Sequence, residues 1–266
     1  MSRISQAFAR LKAEERQAII PFIMAGDPDL HATRELLVEL ARSGADLIEV
    51  GVPFSDPIAD GPVIQRASLR ALRNRVGVSQ VLEAVCDARK AMNVPVILFS
   101  YFNPLLQFGA ARLGEEARKS GVDGVLVTDL APEGAGEFSP AMKENGLDCI
   151  QLAAPTSTDA RLRVIAERAQ GFIYAVSRAG VTGAKTDVSA DAKVLVTRLR
   201  EFTDLPVAVG FGISEAAQVA EVWRYADGAI VGSAIVAEIE RHATASDMVS
   251  QIGKFMRNLL PPDESQ

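Results

Sequence analysis

In ADLIEVGVPF (45–54) the residues from Leu47 to Val52 are apolar except for Glu49. A strand that is polar on neither face is one covered on both, which is the condition of a strand in a parallel sheet. Seven further runs of the same kind flank it. AIIPFIMAG (18–26) precedes it, and VPVILFSYF (94–102), DGVLVTDL (123–130) and DCIQLAAP (148–155) follow. GFIYAVSRAG (171–180), LPVAVGFGIS (205–214) and DGAIVGSAIV (227–236) complete the series. Most of these runs end in Gly, Pro, Ser or Asp, residues that stop strands and open turns.

Helical period fills the intervals. LHATRELLVELARSG sets Leu36, Leu37, Leu40 and Ala41 on one side, and SQVLEAVCDARKAM does the same with Val81, Leu82, Val85 and Ala88. Gly44, Gly121 and Gly146 stand where helices should end. Strict alternation of strand and helix predicts parallel strands joined by crossovers. Eight such units in 266 residues predict one closed (β/α)8 barrel, a single α/β domain over 1–266. Ile4, Ala7, Phe8 and Leu11, at helical spacing, predict an N-terminal helix that plugs the bottom of the barrel. Extended connections are expected after strand 2, where residues 53–91 hold a loop and two helical patterns, and after strand 6, in SRAGVTGAKTDV (177–188). Such βα loops lie on the face where barrels build their active sites.

Composition narrows the function. Lys plus Arg number 28 and Asp plus Glu 34, a net charge of −6, so no global field draws nucleic acid or anionic lipid. No apolar run reaches the ~18 residues that span a bilayer, and the charged, amphipathic start does not read as a secretory leader; a reducing cytoplasm is expected. Cys86, placed on the apolar face of a helix, and Cys149, at the start of a strand, read as buried free thiols. His31 and His242 are isolated and expected at the surface, so no metal cluster is predicted. No strand carries a lysine placed for a Schiff base; Lys185, in the long loop, reads as solvated. Trp223 and Tyr225 read as packing residues, and no dinucleotide fingerprint follows an early strand.

Two kinds of chemistry remain. Glu49 is an ionisable group near the C-terminal end of an apolar strand, where desolvation raises a carboxyl pKa toward working pH. The loop after it, GVPFSDPIADGPVIQRA, carries Asp56 before Pro57 and Asp60 before Gly61-Pro62. Either aspartate can serve a turn or a helix cap, and the residues alone do not choose which one faces Glu49. The final two strands end in VGFGIS and VGSAIV, and small residues there let backbone N–H groups close on an anion. Gly212, Gly232 and Ser233 therefore read as a phosphate cradle at the ends of strands 7 and 8. The segment from Gly180 to Gly183, with Thr182, reads as a lid over the same ligand.

LIEVGVPFSDPIADGPVIQRA, with PFIMAGDP, SRAGVTG, GFGIS and GSAIV in the same order and spacing, resembles the tryptophan synthase alpha family. The resemblance spans essentially the whole chain. It implies a lyase that splits indole-3-glycerol phosphate into indole and glyceraldehyde 3-phosphate during tryptophan biosynthesis. Glu49 and Asp60 match the catalytic carboxylates, and Gly183, Gly212, Gly232 and Ser233 the phosphate-holding positions. Phe22, Tyr174, Thr182 and Phe211 match the substrate pocket or its lid. Pro53, Asp56 and Pro57, with Asn103 and Pro104, resemble the surface that faces a beta subunit. The resemblance further implies no cofactor in this chain, pyridoxal phosphate in the beta subunit, and an alpha2beta2 heterotetramer. A stand-alone lyase shares the same residues, and a catalytically silent regulatory barrel is disfavoured by the retention of both carboxylates. The Leu98–Tyr101 stretch departs from the family pattern, and no role is carried to it.

Overall fold

All eight apolar runs form strands. A computed structural model describes residues 1–177, 188–210 and 212–261. Helix α1 (Arg3–Ala13) leads into β1 (Ala18–Met24), and α2 (Leu30–Arg42) returns the chain to β2 (Ile48–Gly51). Helices α3 (Pro62–Arg73) and α4 (Val78–Ala88) precede β3 (Val96–Ser100); α5 (Phe102–Phe108) and α6 (Ala110–Ser120) precede β4 (Gly124–Val127). Then come α7 (Phe138–Glu144), β5 (Asp148–Ala153), α8 (Asp159–Arg168) and β6 (Ile173–Val176). The chain ends with α9 (Val188–Leu199), β7 (Val207–Gly210), α10 (Ala216–Trp223), β8 (Gly228–Val231), α11 (Ser233–His242) and α12 (Met248–Leu259). The strands pair in parallel in sequence order, and β8 closes on β1 as a barrel. Residues 178 to 187, which hold most of the extended connection expected after strand 6, lie outside the described residues.

Side-chain alternation divides each strand between two cores. Ala18, Ile20, Leu47, Ile97, Leu126, Ile150, Phe172, Ala208 and Ile230 point inward and fill the barrel. Ile4, Ala7, Phe8 and Leu11 of α1 join the same cluster, so the N-terminal helix is the plug its spacing predicts. The outward residues, such as Ile19, Ile48, Val50, Val96 and Leu98, meet the helices. Burial on both faces at roughly 25 cal/mol per Å² is why these strands need no alternation of polarity.

The bottom of the barrel is closed by four reciprocal bridges. Just ahead of each even-numbered strand, one side chain accepts from a backbone N–H at the entry of the preceding odd-numbered strand. The pairs are Asp46 with Ile19 (3.0 Å), Asp123 with Val96 (2.9 Å), Gln170 with Cys149 (3.2 Å) and Asp227 with Val207 (2.8 Å). In each pair the backbone N–H of the former donates back to the carbonyl of the latter. The barrel thus repeats one staple every two strands. Arg10 and Arg16 flank Asp46, Arg3 and Arg89 flank Asp123, and Arg200 flanks Asp227.

One expectation fails. Cys149 is buried, but Cys86 is exposed. Helix α4 buries Val78, Val81, Leu82, Ala84, Val85 and Ala88, and Cys86 lies beyond the edge of that arc, with exposed Glu83 and Lys90. His31 is exposed and His242 half-buried, each beside a glutamate one turn away. Trp223 packs and donates its indole N–H to the Ala18 carbonyl at 3.0 Å. No helix among the described residues is long and apolar enough to cross a membrane.

Candidate active site

Glu49 has the inward parity of Leu47 and stands one layer above it, level with Phe22 of β1 and Ile97 of β3. The inward side chains around and below it, Leu47, Ile97, Leu126 and Phe172, are all carbon. Its carboxyl is buried, and Oε1 has no hydrogen-bond partner among the described residues. Burial alone pushes the Glu49 pKa up to about 8, because a charge without a partner in low dielectric is expensive. At neutral pH this carboxyl carries its proton.

Asp60 arrives from the side. It ends the loop after β2, immediately before Gly61 and Pro62 open α3. Gly61, not Asp60, holds the N-cap position, and the cap carries no side-chain bond, so the aspartate is free of that structural duty. Burial raises its pKa to about 6, opposed by a hydrogen bond from the Tyr101 hydroxyl. That hydroxyl accepts the Ala59 N–H at 2.9 Å, which leaves its own proton for the Asp60 carboxylate. Asp56 is exposed on the same loop, its carboxylate bonded to the neighbouring Ser55 hydroxyl. Of the two aspartates, Asp60 is the one the fold partly buries, and Asp56 stays at the surface.

The loop is stapled to α3 from below. Ser68, buried, accepts the Phe54 N–H and donates to the Phe54 carbonyl, both at 2.8 Å, and Gln65 donates to the Asp60 carbonyl at 2.9 Å. Tyr101, Ser68 and Gln65 were missed in the sequence. Tyr101 follows β3 directly, on the face where barrels build their sites, and that position was the available signal.

Tyr174 stands on β6. Its phenol is buried, and its pKa is raised well above the ordinary value by burial and by the charges of Glu49 and Asp60. The phenol is thus near enough to both carboxyls for their charges to act on it. The phenol lies against the backbone of Gly210, where a Cβ would meet its oxygen at 2.1 Å. Phe22 stacks edge-on with Phe99 at 5.2 Å and covers Gly51, where a Cβ would meet the ring at 2.7 Å. Strand-end glycines therefore make room for the aromatic walls.

At the ends of the last two strands, Gly212 follows β7 with φ +80°, a conformation glycine adopts without strain, and Gly232 and Ser233 open α11 after β8. The N-cap of α11 has no side-chain bond, so its first-turn N–H groups are not taken by a capping side chain. Thr182, Gly183 and Phe211 lie outside the described residues. Pro53, Asp56 and Pro57 sit on the β2 loop, and Asn103 and Pro104 in the first turn of α5. Tyr101 joins these two segments, since it bonds Ala59 and then begins α5. Each segment also shows an apolar side chain to solvent, Ile58 at 78% and Leu106 at 53% exposure. Among the described residues, no three His, Cys, Asp or Glu side chains cluster as a metal site.

Known proteins share this architecture. The family model described as tryptophan synthase alpha chain matches residues 8–259. The tryptophan synthase alpha chain of Geobacter sulfurreducens is 48% identical over 259 residues, 97% of this chain and 98% of its own. That of Solibacter usitatus is 47% identical over 97% of both chains. Among solved structures, tryptophan synthase subunit alpha from Legionella pneumophila superposes with a TM-score of 0.88 at 36% identity, covering 97% of both chains. An aminoacrylate-bound tryptophan synthase from M. tuberculosis gives 0.88 at 36% identity, covering 97% of this chain and 98% of that one. Matched by the family model over nearly its whole length and by relatives approaching half its residues, this chain belongs to the tryptophan synthase alpha chain family.

Proposed function

We propose that this chain cleaves indole-3-glycerol phosphate into indole and glyceraldehyde 3-phosphate, with Glu49 and Asp60 as its catalytic carboxyls. The observation that carries the reading is the split between them: one buried carboxyl held neutral up to about pH 8, and a second ionised above about pH 6. Two carboxyls tuned apart by their surroundings can take opposite roles at one pH.

An indole carbon leaves poorly until C3 of the ring is protonated. Protonated Glu49 gives its proton to C3, and the ring nitrogen takes up positive charge. The resulting Glu49 carboxylate removes the proton of the hydroxyl on the adjacent side-chain carbon. A carbonyl forms there, the carbon–carbon bond breaks, and its electron pair restores the aromatic ring. Glu49 ends protonated again, now with the hydroxyl's proton, while its first proton leaves on C3 of indole. Asp60, ionised and oriented by Tyr101, accepts a hydrogen bond from the ring N–H and stabilises the cation. Gly212, Gly232 and Ser233 hold the phosphate on backbone N–H groups, with Gly183 closing the cradle. Phe22 and Tyr174 line the indole space, and Thr182 and Phe211 complete the pocket and its lid.

The partner in this reading is a tryptophan synthase beta subunit, whose pyridoxal phosphate consumes the indole, in an alpha2beta2 heterotetramer. Pro53, Asp56, Pro57, Asn103 and Pro104 face it. Exposed Ile58 and Leu106 on the same two segments support that surface, and two free cysteines accord with a reducing cytoplasm. The test is indole release from indole-3-glycerol phosphate by the purified chain, alone and with a beta subunit. Slow release accelerated by the partner supports both parts. Fast release without a partner effect favours a stand-alone lyase, and no release under either condition refutes the activity.

A further inference from the structure

Four charged side chains tie together three segments at the mouth of the barrel. Arg70 of α3 grips Asp27, at the end of β1, through two bonds of 2.7 and 2.8 Å, and reaches Glu240 of α11 with its third nitrogen at 2.6 Å. Arg66, one turn earlier on α3, holds the same Glu240 through two bonds of 2.8 and 2.7 Å. Asp27 is 1% exposed. Asn74 strengthens the β1 side by donating to the carbonyls of Pro28 at 2.6 Å and Gly26 at 3.3 Å.

The helices so joined start at the two halves of the proposed site. Helix α3 begins two residues after Asp60, and α11 begins at Ser233. Apolar packing through Ile235, Val236 and Ile239 seats α11 on the barrel, but such contacts are non-directional and resist axial sliding weakly. Paired guanidinium–carboxylate bonds are directional and fix register as well as distance. Two guanidiniums and two carboxylates also sum to zero charge, so the group as a whole lends little field to a nearby anion.

We infer that Glu240 is a positioning residue: through Arg66 and Arg70 it holds the N-terminus of α11, with Gly232 and Ser233, in register with the Asp60 loop and the end of β1. The inference rests on the phosphate reading above. It predicts a sign that charge alone would reverse. A glutamate on α11 repels an anion at that helix's start, so its neutralisation would tighten phosphate if its role were through space. If its role is positional, neutralisation loosens the cradle and phosphate binds more weakly.

The experiment is calorimetric titration of the full chain with inorganic phosphate and with glycerol 3-phosphate, for wild type, Glu240→Gln and Glu240→Asp. The aspartate keeps the charge and the fold but falls one methylene short of the two arginines. Both variants should weaken binding about tenfold, and raise KM for the indole substrate more than they lower kcat. Unchanged or tighter phosphate binding in either variant overturns the positioning role. Failure of the wild type to bind either anion overturns the phosphate reading itself, and the inference with it.

Discussion

The hydroxyl oxygen of Tyr174 lies 2.1 Å from where a Cβ on Gly210 would stand, with two ring carbons at 2.5 and 2.7 Å. The strand glycine is thus the space that the phenol occupies. Gly210→Ala must displace the ring, whose hydroxyl senses the charges of Glu49 and Asp60. Because barrel strands are fixed by pairing on both sides, the side chain yields rather than the backbone. The expected outcome is a fall of about two orders of magnitude in kcat/KM with the barrel intact by circular dichroism. Tyr174→Phe in the same background should restore nothing, because the ring carbons clash as the oxygen does. Recovery in that double variant would show that the hydroxyl alone is responsible.

Glu49→Gln separates activity from stability. Turnover should fall by at least about 10²–10⁴, since the amide neither gives nor takes the proton. Stability should move the other way. The native chain holds at Glu49 a proton that the unfolded chain releases near pH 4.5, so rising pH costs the native state stability until about pH 8. At about 1.4 kcal/mol per pH unit, the cost is roughly 3 kcal/mol at pH 7. The glutamine variant escapes it. Urea unfolding should find the variant more stable than wild type at pH 8, with a gap that narrows toward pH 5. A variant less stable at pH 8 would contradict a neutral, buried carboxyl.

The same two groups set the pH profile of kcat/KM. The proposed mechanism uses Asp60 ionised and Glu49 protonated, so the rate should rise through about pH 6 and fall through about pH 8. Tyr101→Phe tests the acid limb. Its hydroxyl bonds the charged form of Asp60 and lowers that pKa, so its loss should move the acid limb to higher pH and leave the alkaline limb in place. A shift of both limbs, or of neither, would detach Tyr101 from Asp60.

How much of this was readable depends on what each residue does for the backbone. The strands were legible because burial on two faces leaves no polar positions, and α1 because its apolar spacing has one use. Glu49 stood out as the single charge in such a run. Asp60 did not, since an aspartate before Gly-Pro reads equally as a turn residue, and only burial beside Tyr101 separates it from exposed Asp56. Cys86 was misread because it sits four residues from buried Leu82 yet past the edge of the buried arc of α4. The staples at Asp46, Asp123, Gln170 and Asp227 were invisible for another reason: each partner lies on the preceding strand, 20 to 27 residues away.

Those staples predict a gradient of stability with one chemistry at different depths. Asp123 is 4% exposed and accepts from the Val96 N–H and from Arg89, with Arg3 nearby. Asp123→Ala leaves a half-buried guanidinium and a buried amide without their acceptor, a loss of about 3–5 kcal/mol. Asp227 makes the same bridge to Val207 at 36% exposure, where water replaces the lost bonds. Asp227→Ala should therefore cost only about 1 kcal/mol. Urea midpoints of the two variants measure the difference. Equal losses would mean that the bridge matters through its place in the strand pairing, and not through the desolvation of the carboxylate that makes it.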